Sequence, residues 1–311
     1  MDRPTLPRAL DSIALQDYPR VEVVVVAACG SAHRDLPERC GRFPLRLVRS
    51  EAPLARAEAA NAALDAARGD WLNLLDDDDA FLPGHVSALR AAADADAGVR
   101  LVHSMSEDCT ADGRVLYLHG GRFRPWRQLD TGFVHPHCAL FARSLAEEGA
   151  RFDPRFAILE DMDFFIQCAQ RTRFAFVDRV TARYHVDAGD SGAGSGTNRD
   201  AARIAVAIAA LRAKWSDLET ALRAMPEFRL EQALWMLQQG RVGGAEDLLA
   251  GVLAERPDWA DALALACVIR AARGDAAGAR RQLARLGARI PALAEIAALV
   301  AAQRVPASDA G

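Results

Sequence analysis

The chain has 311 residues, of which 51% are hydrophobic and 26% are charged, and its formal net charge at pH 7 is −4. This composition predicts a globular protein of one large or two ordinary domains, and the charge gives no indication of a nucleic-acid partner. No apolar run reaches the roughly 20 residues of a transmembrane helix, and the six scattered cysteines include no CxxC pair, so we expect a cytoplasmic protein with reduced thiols, free or peripheral at the inner face of the membrane.

The first two-thirds of the chain alternates helix and strand patterns. The β-branched run VEVVVVAA at residues 21–28 predicts a strand buried on both faces, as in a parallel sheet. The run WLNLL at residues 71–75 predicts a second buried strand, and four aspartates follow it directly. Alternating strands and helices favour an α/β layered sheet with ligands at the carboxyl ends of the strands. The remaining predicted helices cover residues 5–16, 55–67, 83–92 and 161–171, and the remaining strands cover residues 99–106, 174–177 and 180–185.

The last third of the chain is almost wholly helical. Residues 188–198 (AGDSGAGSGTN) precede it and predict either a linker or a lid over a site. Gly240 and Gly274 are 34 residues apart, and so are Ala245 and Ala279. This period resembles the tetratricopeptide repeat, with an ordinary helical bundle as the alternative. We predict an α/β domain at residues 1–198, a helical linker at 199–225, repeats at 226–303 and a disordered tail at 304–311.

The four aspartates at residues 76–79 are the first candidate site. Carboxylates this close repel one another unless a cation lies between them, and Mg²⁺ or Mn²⁺ prefers such oxygen ligands together with substrate phosphates. A metal bound there would neutralise charge on a departing diphosphate. The alternative is a solvated acidic loop in which Asp79 caps the following helix.

The segment AILEDMDFFIQCAQ at residues 157–170 is the second candidate site. Glu160, Asp161 and Asp163 lie in the first turn of the predicted helix, where acids suit the helix dipole. A carboxylate at this place could also act as a general base that takes the proton of an attacking hydroxyl. We predict that Asp161 has this role and that Glu160 orients or contacts the acceptor.

Four segments together resemble glycosyltransferase family 2, whose members are inverting enzymes with the GT-A fold. They are RPTLPRALDSIALQDYPRVEVVVV, NAALDAARGDWLNLLDDDDAFLPGH, HPHCALFARSL and FDPRFAILEDMDFF, and the resemblance covers residues 3–187. It implies a GT-A-like α/β/α sandwich and transfer of a sugar from a nucleoside-diphosphate-sugar donor to a hydroxyl acceptor, which could be a glycan, a lipid-linked glycan or a protein. The helical repeats would bind a protein partner or dimerise the enzyme.

The resemblance also implies roles for individual residues. Asp76 and Asp78 would be the ligands of Mn²⁺ or Mg²⁺, and His185 could approach the same metal. Asp161, beside Glu160, would be the catalytic base of a single inverting displacement. The nucleotide part of the donor would be held by Ala28, Arg56, Asn61, Asp76 and Asp77.

Three features depart from the family pattern. The strand that usually begins the fold is missing before Arg3, and Ala28 lies where an acid often contacts the base. Ala60 occupies the place of a frequent arginine, for which Arg56 is the expected substitute. These departures favour the alternative of a catalytically silent domain that serves a repeat scaffold, whereas the two acidic sites favour an enzyme.

The histidines have competing interpretations. His185 could be a structural histidine rather than a metal ligand. His135, His137 and Cys138 resemble part of a zinc site, but no second ligand pair has a suitable spacing, so we expect this segment near the acceptor. Trp126 could stack on a sugar or lie in the core.

Overall fold

We describe the protein from a computed structural model, which describes residues 4–28, 36–131, 134–187 and 200–289. The chain forms two compact units, Met1–Ser216 and Asp217–Gly311. The boundary between the two units therefore falls inside the predicted linker: its described residues up to Ser216 belong to the first unit, and the rest belong to the second. The predicted loop at 188–198 and the predicted tail at 304–311 lie outside the described residues. None of the described helices is long and apolar enough to span a bilayer.

The first unit contains two β-sheets and has the α/β fold predicted from the sequence, with parallel and antiparallel strand pairs. The smaller sheet has the strand order β1-β3-β2, and the larger has the order β4-β8-β6-β9-β5 with β7 paired to β6. Strands β1 and β3 are parallel, as are β6 and β9, and the other pairs are antiparallel. The strands are β1 (Val23–Ala27), β2 (Arg39–Cys40), β3 (Phe43–Arg49), β4 (Trp71–Asn73), β5 (Ala80–Phe81), β6 (Val99–Cys109), β7 (Val115–His119), β8 (Ala139–Ala142) and β9 (Arg173–His185).

Helices cover these sheets and close the core. Leu101, Phe141, Phe164 and Phe165 are fully buried where the helix Glu160–Ala169 (α6) packs against the larger sheet. Apolar residues that recur at helical spacing along α6 form the face that packs against the sheet. The helices of the unit are α1 (Leu6–Ala14), α2 (Arg56–Ala66), α3 (His85–Asp94), α4 (Pro125–Thr131), α5 (Arg143–Glu147), α6 (Glu160–Ala169) and α7 (Ala201–Lys214), and a 3-10 turn forms at Pro136–Cys138.

The two sheets are separated between β1 and β4. Within the described residues β1 pairs with β3 only and β4 pairs with β8 only, so each has one free edge. At one end the gap is bridged by a side chain, because Oε1 of Glu22 accepts hydrogen bonds from the backbone N–H groups of Arg68 and Gly69 over 2.5 and 2.8 Å. In the described part of the chain, side chains and helices therefore join the two sheets where backbone pairing is absent.

The second unit is built from helical hairpins. Gly240 and Gly274 have φ of 72° and 96°, a left-handed conformation that glycine adopts at low cost, and each ends the first helix of a hairpin. Ala245 and Ala279 lie buried at equivalent places in the second helices. The 34-residue period is thus a repeat of structure, and its assignment to the tetratricopeptide class stays a prediction. The helices are α8 (Ser216–Ala224), α9 (Pro226–Gln238), α10 (Val242–Glu255), α11 (Ala260–Ala272) and α12 (Ala276–Arg289).

Candidate active site

A cavity of about 670 Å³ lies in the first unit between the free edges of β1 and β4. Its interior is apolar, because it is lined by valines of β1 and by the leucines that follow Trp71. Its mouth is polar and is formed by the start of α2, the acidic run after β4 and the start of α6. The charged residues there are Arg56, Asp76, Asp77, Glu160 and Asp161. The fold therefore brings the two predicted acidic sites to one opening.

Arg56 connects these two acidic sites. Its Nε donates to Oε1 of Glu160 over 2.7 Å, and its Nη2 lies 3.6 Å from Oδ2 of Asp76. Burial lowers the pKa of Arg56, but Asp76, Glu160 and Asp161 raise it by more, so it lies above its usual value. The guanidinium is fixed in its charged form, and it holds the start of α6 beside the acidic run.

Asp161 lies at the mouth of the cavity on the first turn of α6. Burial and the charge of Glu160 raise the pKa of Asp161 to about 6, although Arg56 and the Met162 amide act in the opposite sense. That amide donates to Oδ1 of Asp161 over 2.8 Å. Leu159, just before the helix, has φ of 67°, a strained value for a residue with a branched side chain. A carboxylate with this pKa is well suited to take a proton near neutral pH.

The third acid of α6 has a structural environment. Asp163 is fully buried, and it accepts hydrogen bonds from Lys214, Trp215 and Gln167, each within 2.8 Å. These contacts attach the end of α7 to α6. Of the three acids in this helical turn, Glu160 is therefore bound by Arg56 and Asp163 by Lys214, whereas Asp161 faces the cavity.

The acidic run has the composition of a divalent-metal site. Carboxylate oxygens of Asp76, Asp78 and Asp79 lie within 4.8 Å of one another. Asp79 is buried and engaged by the protein: its Oδ1 accepts from the backbone N–H of His185 over 2.9 Å, and its Oδ2 lies 3.2 Å from Nδ1 of His137. Oxygen ligands of this number fit Mn²⁺ or Mg²⁺. Asp76 and Asp78, the ligands predicted from the sequence, belong to this group together with Asp79, and their role as metal ligands stays a prediction.

Two histidines flank Asp79. The imidazole Nδ1 of His185 lies 3.9 Å from Oδ1 of Asp79 and has no hydrogen-bond partner within the described residues. His137 is almost fully buried; burial lowers its pKa, but the Cys138 sulfur and the Asp79 carboxylate raise it well above its usual value. His185 is thus close enough to the acidic run to keep its predicted metal role open, and His137 stabilises Asp79.

The other predicted residues differ in their positions. Ala28 lines the cavity after β1. The amide of Asn61 is engaged by the backbone of Phe152, to which Nδ2 donates over 2.7 Å and from which Oδ1 accepts over 3.0 Å. Its role in donor binding stays a prediction, and its visible role is to join α2 to the segment before α6. Trp126 is 9% exposed and belongs to the core, so the structure does not support sugar stacking by this residue.

Two contacts of the site were not predicted from the sequence. Arg8, on α1, donates from Nη2 to the backbone carbonyl of Asp78 over 2.6 Å. His137 contacts Asp79, as described above. Neither contact has a sequence signal, because each joins segments that are far apart in the chain. Together they fix the backbone and one side chain of the acidic run.

The sequence of this chain resembles those of known glycosyltransferases. Residues 2–149 match the sequence model of the family described as Glycosyl transferase family 2. An uncharacterised glycosyltransferase of Bacillus subtilis, YwdF, is 26% identical over 198 residues, which cover 60% of this chain and 72% of that protein. The succinoglycan biosynthesis protein ExoO of Rhizobium meliloti is 33% identical over 117 residues, which cover 37% of this chain and 33% of that protein.

Solved structures share the fold at low sequence identity. The TarS fragment 1–349 of S. aureus, solved in complex with UDP-GlcNAc, has a TM-score of 0.54 at 16% identity and covers 91% of this chain and 87% of its own. The mannosyltransferase PcManGT of Pyrobaculum calidifontis was solved in complex with GDP-Man and Mn²⁺. It has a TM-score of 0.51 at 22% identity, and the match spans 96% of this chain and 80% of that chain. The solved structures thus share the fold of this chain, and the sequence match places residues 2–149 in glycosyltransferase family 2.

Proposed function

We propose that the first unit transfers a sugar from a nucleoside-diphosphate-sugar donor to a hydroxyl acceptor with inversion at the anomeric carbon. The observation that carries this proposal is the contact of Arg56 with both Asp76 and Glu160. Through Arg56, a candidate base and a candidate metal site share one cavity mouth. A silent scaffold would not require a carboxylate with a raised pKa beside an acidic run.

In this mechanism Asp161 accepts the proton of the acceptor hydroxyl. The acceptor oxygen forms a bond to the anomeric carbon while the bond from that carbon to the diphosphate oxygen breaks, and the electron pair leaves with the diphosphate. One direct displacement inverts the configuration, so no covalent nucleophile is needed. Arg56 and Glu160 orient the start of α6, and Arg56 also places positive charge beside the diphosphate.

Asp76 and Asp78 would hold Mn²⁺ or Mg²⁺. When bound, the ion would neutralise charge on the departing diphosphate. His137, the His185 amide and Arg8 restrain the acidic run, so its carboxylates are oriented before a metal arrives. Ala28, Asp77 and Arg56 are the proposed contacts to the nucleotide.

The bound ligands of the two structural neighbours support a nucleotide-sugar donor, because one holds UDP-GlcNAc and the other holds GDP-Man with Mn²⁺. For the acceptor we propose the hydroxyl of a glycan, a lipid-linked glycan or a protein. The second unit would bind a protein partner through its helical hairpins.

A calorimetric titration of the full chain with UDP-, GDP- and dTDP-sugars, with and without Mn²⁺, tests the proposal. We expect one donor to bind in a Mn²⁺-dependent manner and to be turned over with an added acceptor, giving a product of inverted configuration by NMR. Absence of binding to every donor would contradict the proposal. Binding with no hydrolysis or transfer would favour the silent scaffold.

A further inference from the structure

A second cluster of polar side chains lies on the hairpin formed by β6 and β7. In the antiparallel register Ser106 is opposite His119 and Asp108 is opposite Tyr117. Directly opposite residues share a face of a sheet, and so do residues two apart on one strand, so these four side chains lie on one face. The segment before the 3-10 turn adds His135 to the same face, since its Nδ1 lies 3.2 Å from Oγ of Ser106.

Three of these residues bring potential metal ligands together. Ligand atoms of Asp108, His119 and His135 all lie within 4.8 Å of one another. The imidazole rings of His119 and His135 are stacked, with centroids 3.9 Å apart and planes within 5°. The Asp108 side chain is 1% exposed, whereas that of His135 is 20% exposed. The cluster is therefore buried on its acidic side and open to solvent on its histidine side.

The buried carboxylate of Asp108 needs a positive partner. Its hydrogen bonds come from the hydroxyl groups of Ser106 and Tyr117, which carry no charge. In the described part of the chain, no lysine or arginine lies within salt-bridge distance of it; Nδ1 of His135 lies 4.0 Å from its Oδ1, and His119 and His137 also favour its ionised form. Burial raises the pKa of Asp108. A buried charge is costly unless it is paired or binds a metal.

We propose that Asp108, His119 and His135 bind a transition-metal ion of the zinc type, at a site separate from Asp76 and Asp78. Two imidazole nitrogens and one carboxylate oxygen suit Zn²⁺, whereas an all-oxygen set suits Mg²⁺ or Mn²⁺. Three protein ligands leave a fourth position for water or a ligand oxygen. This inference does not depend on the proposed sugar transfer.

Loading requires a small movement of one ring. The nitrogen lone pairs of parallel stacked rings do not converge, and tetrahedral zinc with bonds of about 2.0–2.1 Å places its ligands about 3.3 Å apart. His119 can make this adjustment because it ends the short edge strand β7 and is half-buried. His135 is more restrained, since its ring also lies 5.2 Å from those of His137 and Tyr184.

The test uses metal-free full-length protein titrated with Zn²⁺ against a chromophoric indicator. We expect one tight site per chain in the wild type and in a control variant that combines Asp76→Asn with Asp78→Asn. In His119→Gln the affinity should fall by at least tenfold, and in His135→Gln by a similar factor. Equal zinc affinity in His119→Gln and the wild type would overturn the proposal, and so would the absence of tight binding in the wild type.

Two further measurements separate metal binding from misfolding. Zn²⁺ should raise the melting temperature of the wild type and leave that of His119→Gln unchanged, because only a ligand of the folded state stabilises it. Without metal, the two proteins should have the same circular dichroism spectrum. Co²⁺ in place of Zn²⁺ should give the visible absorption of a four-coordinate site in the wild type. A six-coordinate spectrum in the wild type, with the same intensity in His119→Gln, would contradict the assignment.

Discussion

Arg56 and Glu160 form a hydrogen-bonded ion pair of 2.7 Å although they are 104 residues apart. The pair joins the first turn of α2 to the first turn of α6, and the same guanidinium reaches toward Asp76. One arginine side chain therefore links the candidate metal-binding acids to the helix that carries the candidate base.

Replacing Arg56 with Gln should lower turnover and shift its pH dependence. Asp161 acts as a base only when ionised, so activity should rise as the pH passes its pKa of about 6. Arg56 lowers that pKa, so its loss should move the acidic limb of the pH–rate profile to higher pH. Arg56→Lys is the control that keeps the charge and should shift the limb less. An unchanged acidic limb in Arg56→Gln would show that Arg56 does not influence the ionisation of the base.

Asp161→Asn should reduce transfer by about 10²–10⁴-fold while leaving nucleotide binding unchanged, because an amide cannot accept the acceptor proton. Single-turnover assays with saturating donor, together with calorimetry, measure the two effects separately. Glu160→Gln is the matched control. It should change the rate, because it removes the contact with Arg56, but the acidic limb of the pH–rate profile should remain. Full transfer activity in Asp161→Asn would show that another group is the base.

The same Asp161→Asn substitution should stabilise the protein near neutral pH. The raised pKa means that the folded state disfavours the ionised carboxylate, so the unfavourable contribution appears as the pH rises from about 4 through 6. We expect the free energy of unfolding to increase by about 1–2 kcal/mol at pH 7 and to be unchanged at pH 4. Urea denaturation at the two pH values measures the difference. A loss of stability at pH 7 would contradict the burial of an ionised Asp161.

Asp78→Ala should weaken nucleotide binding only when Mn²⁺ is present. The carboxylate contributes through the metal, so binding measured in EDTA should equal that of the wild type. Calorimetric titrations with nucleoside diphosphates in the two buffers provide the comparison. Equal losses with and without Mn²⁺ would indicate a disturbed fold instead of a lost ligand.

Asp163→Ala should destabilise the first unit by about 3–5 kcal/mol, because Lys214 and Trp215 would lose a fully buried partner. Arg155→Ala is the matched control: Arg155 is also ion-paired to an aspartate, Asp153, but its side chain is 75% exposed, so the loss should be below about 1 kcal/mol. Chemical denaturation followed by tryptophan fluorescence compares the two. Similar small losses would show that the Asp163 contacts add little to stability.

The elements that carry the candidate site could be predicted from the sequence better than the contacts between them. The buried strand before Asp76 and the acids that begin α6 are local patterns, so their elements could be identified from periodicity and composition. The role of each acid depends on its partner, which is Arg56 for Glu160 and Lys214 for Asp163. These partners are distant in the sequence, so only the folded structure distinguishes the acids from one another. Asn61 illustrates the same limit, since its partner is the backbone of Phe152, 91 residues away.

The pairing of the strands could not be predicted from the sequence alone. The antiparallel course of β8 between β4 and β6 has no signal in its four residues. The cluster of Asp108, His119 and His135 was also missed, because strand register, not sequence spacing, brings its members together.

Because β1 and β4 each have a free edge, the backbone amides of the first unit differ in their protection from hydrogen exchange. Alternate backbone N–H groups of β1 point toward the cavity, where none of the described strands accepts their hydrogens. These amides should exchange with deuterium orders of magnitude faster than those of β6, which lies between strands along most of its length. The slowest-exchanging part of this unit is therefore the centre of the larger sheet, and the segment that lines the cavity is the first to open.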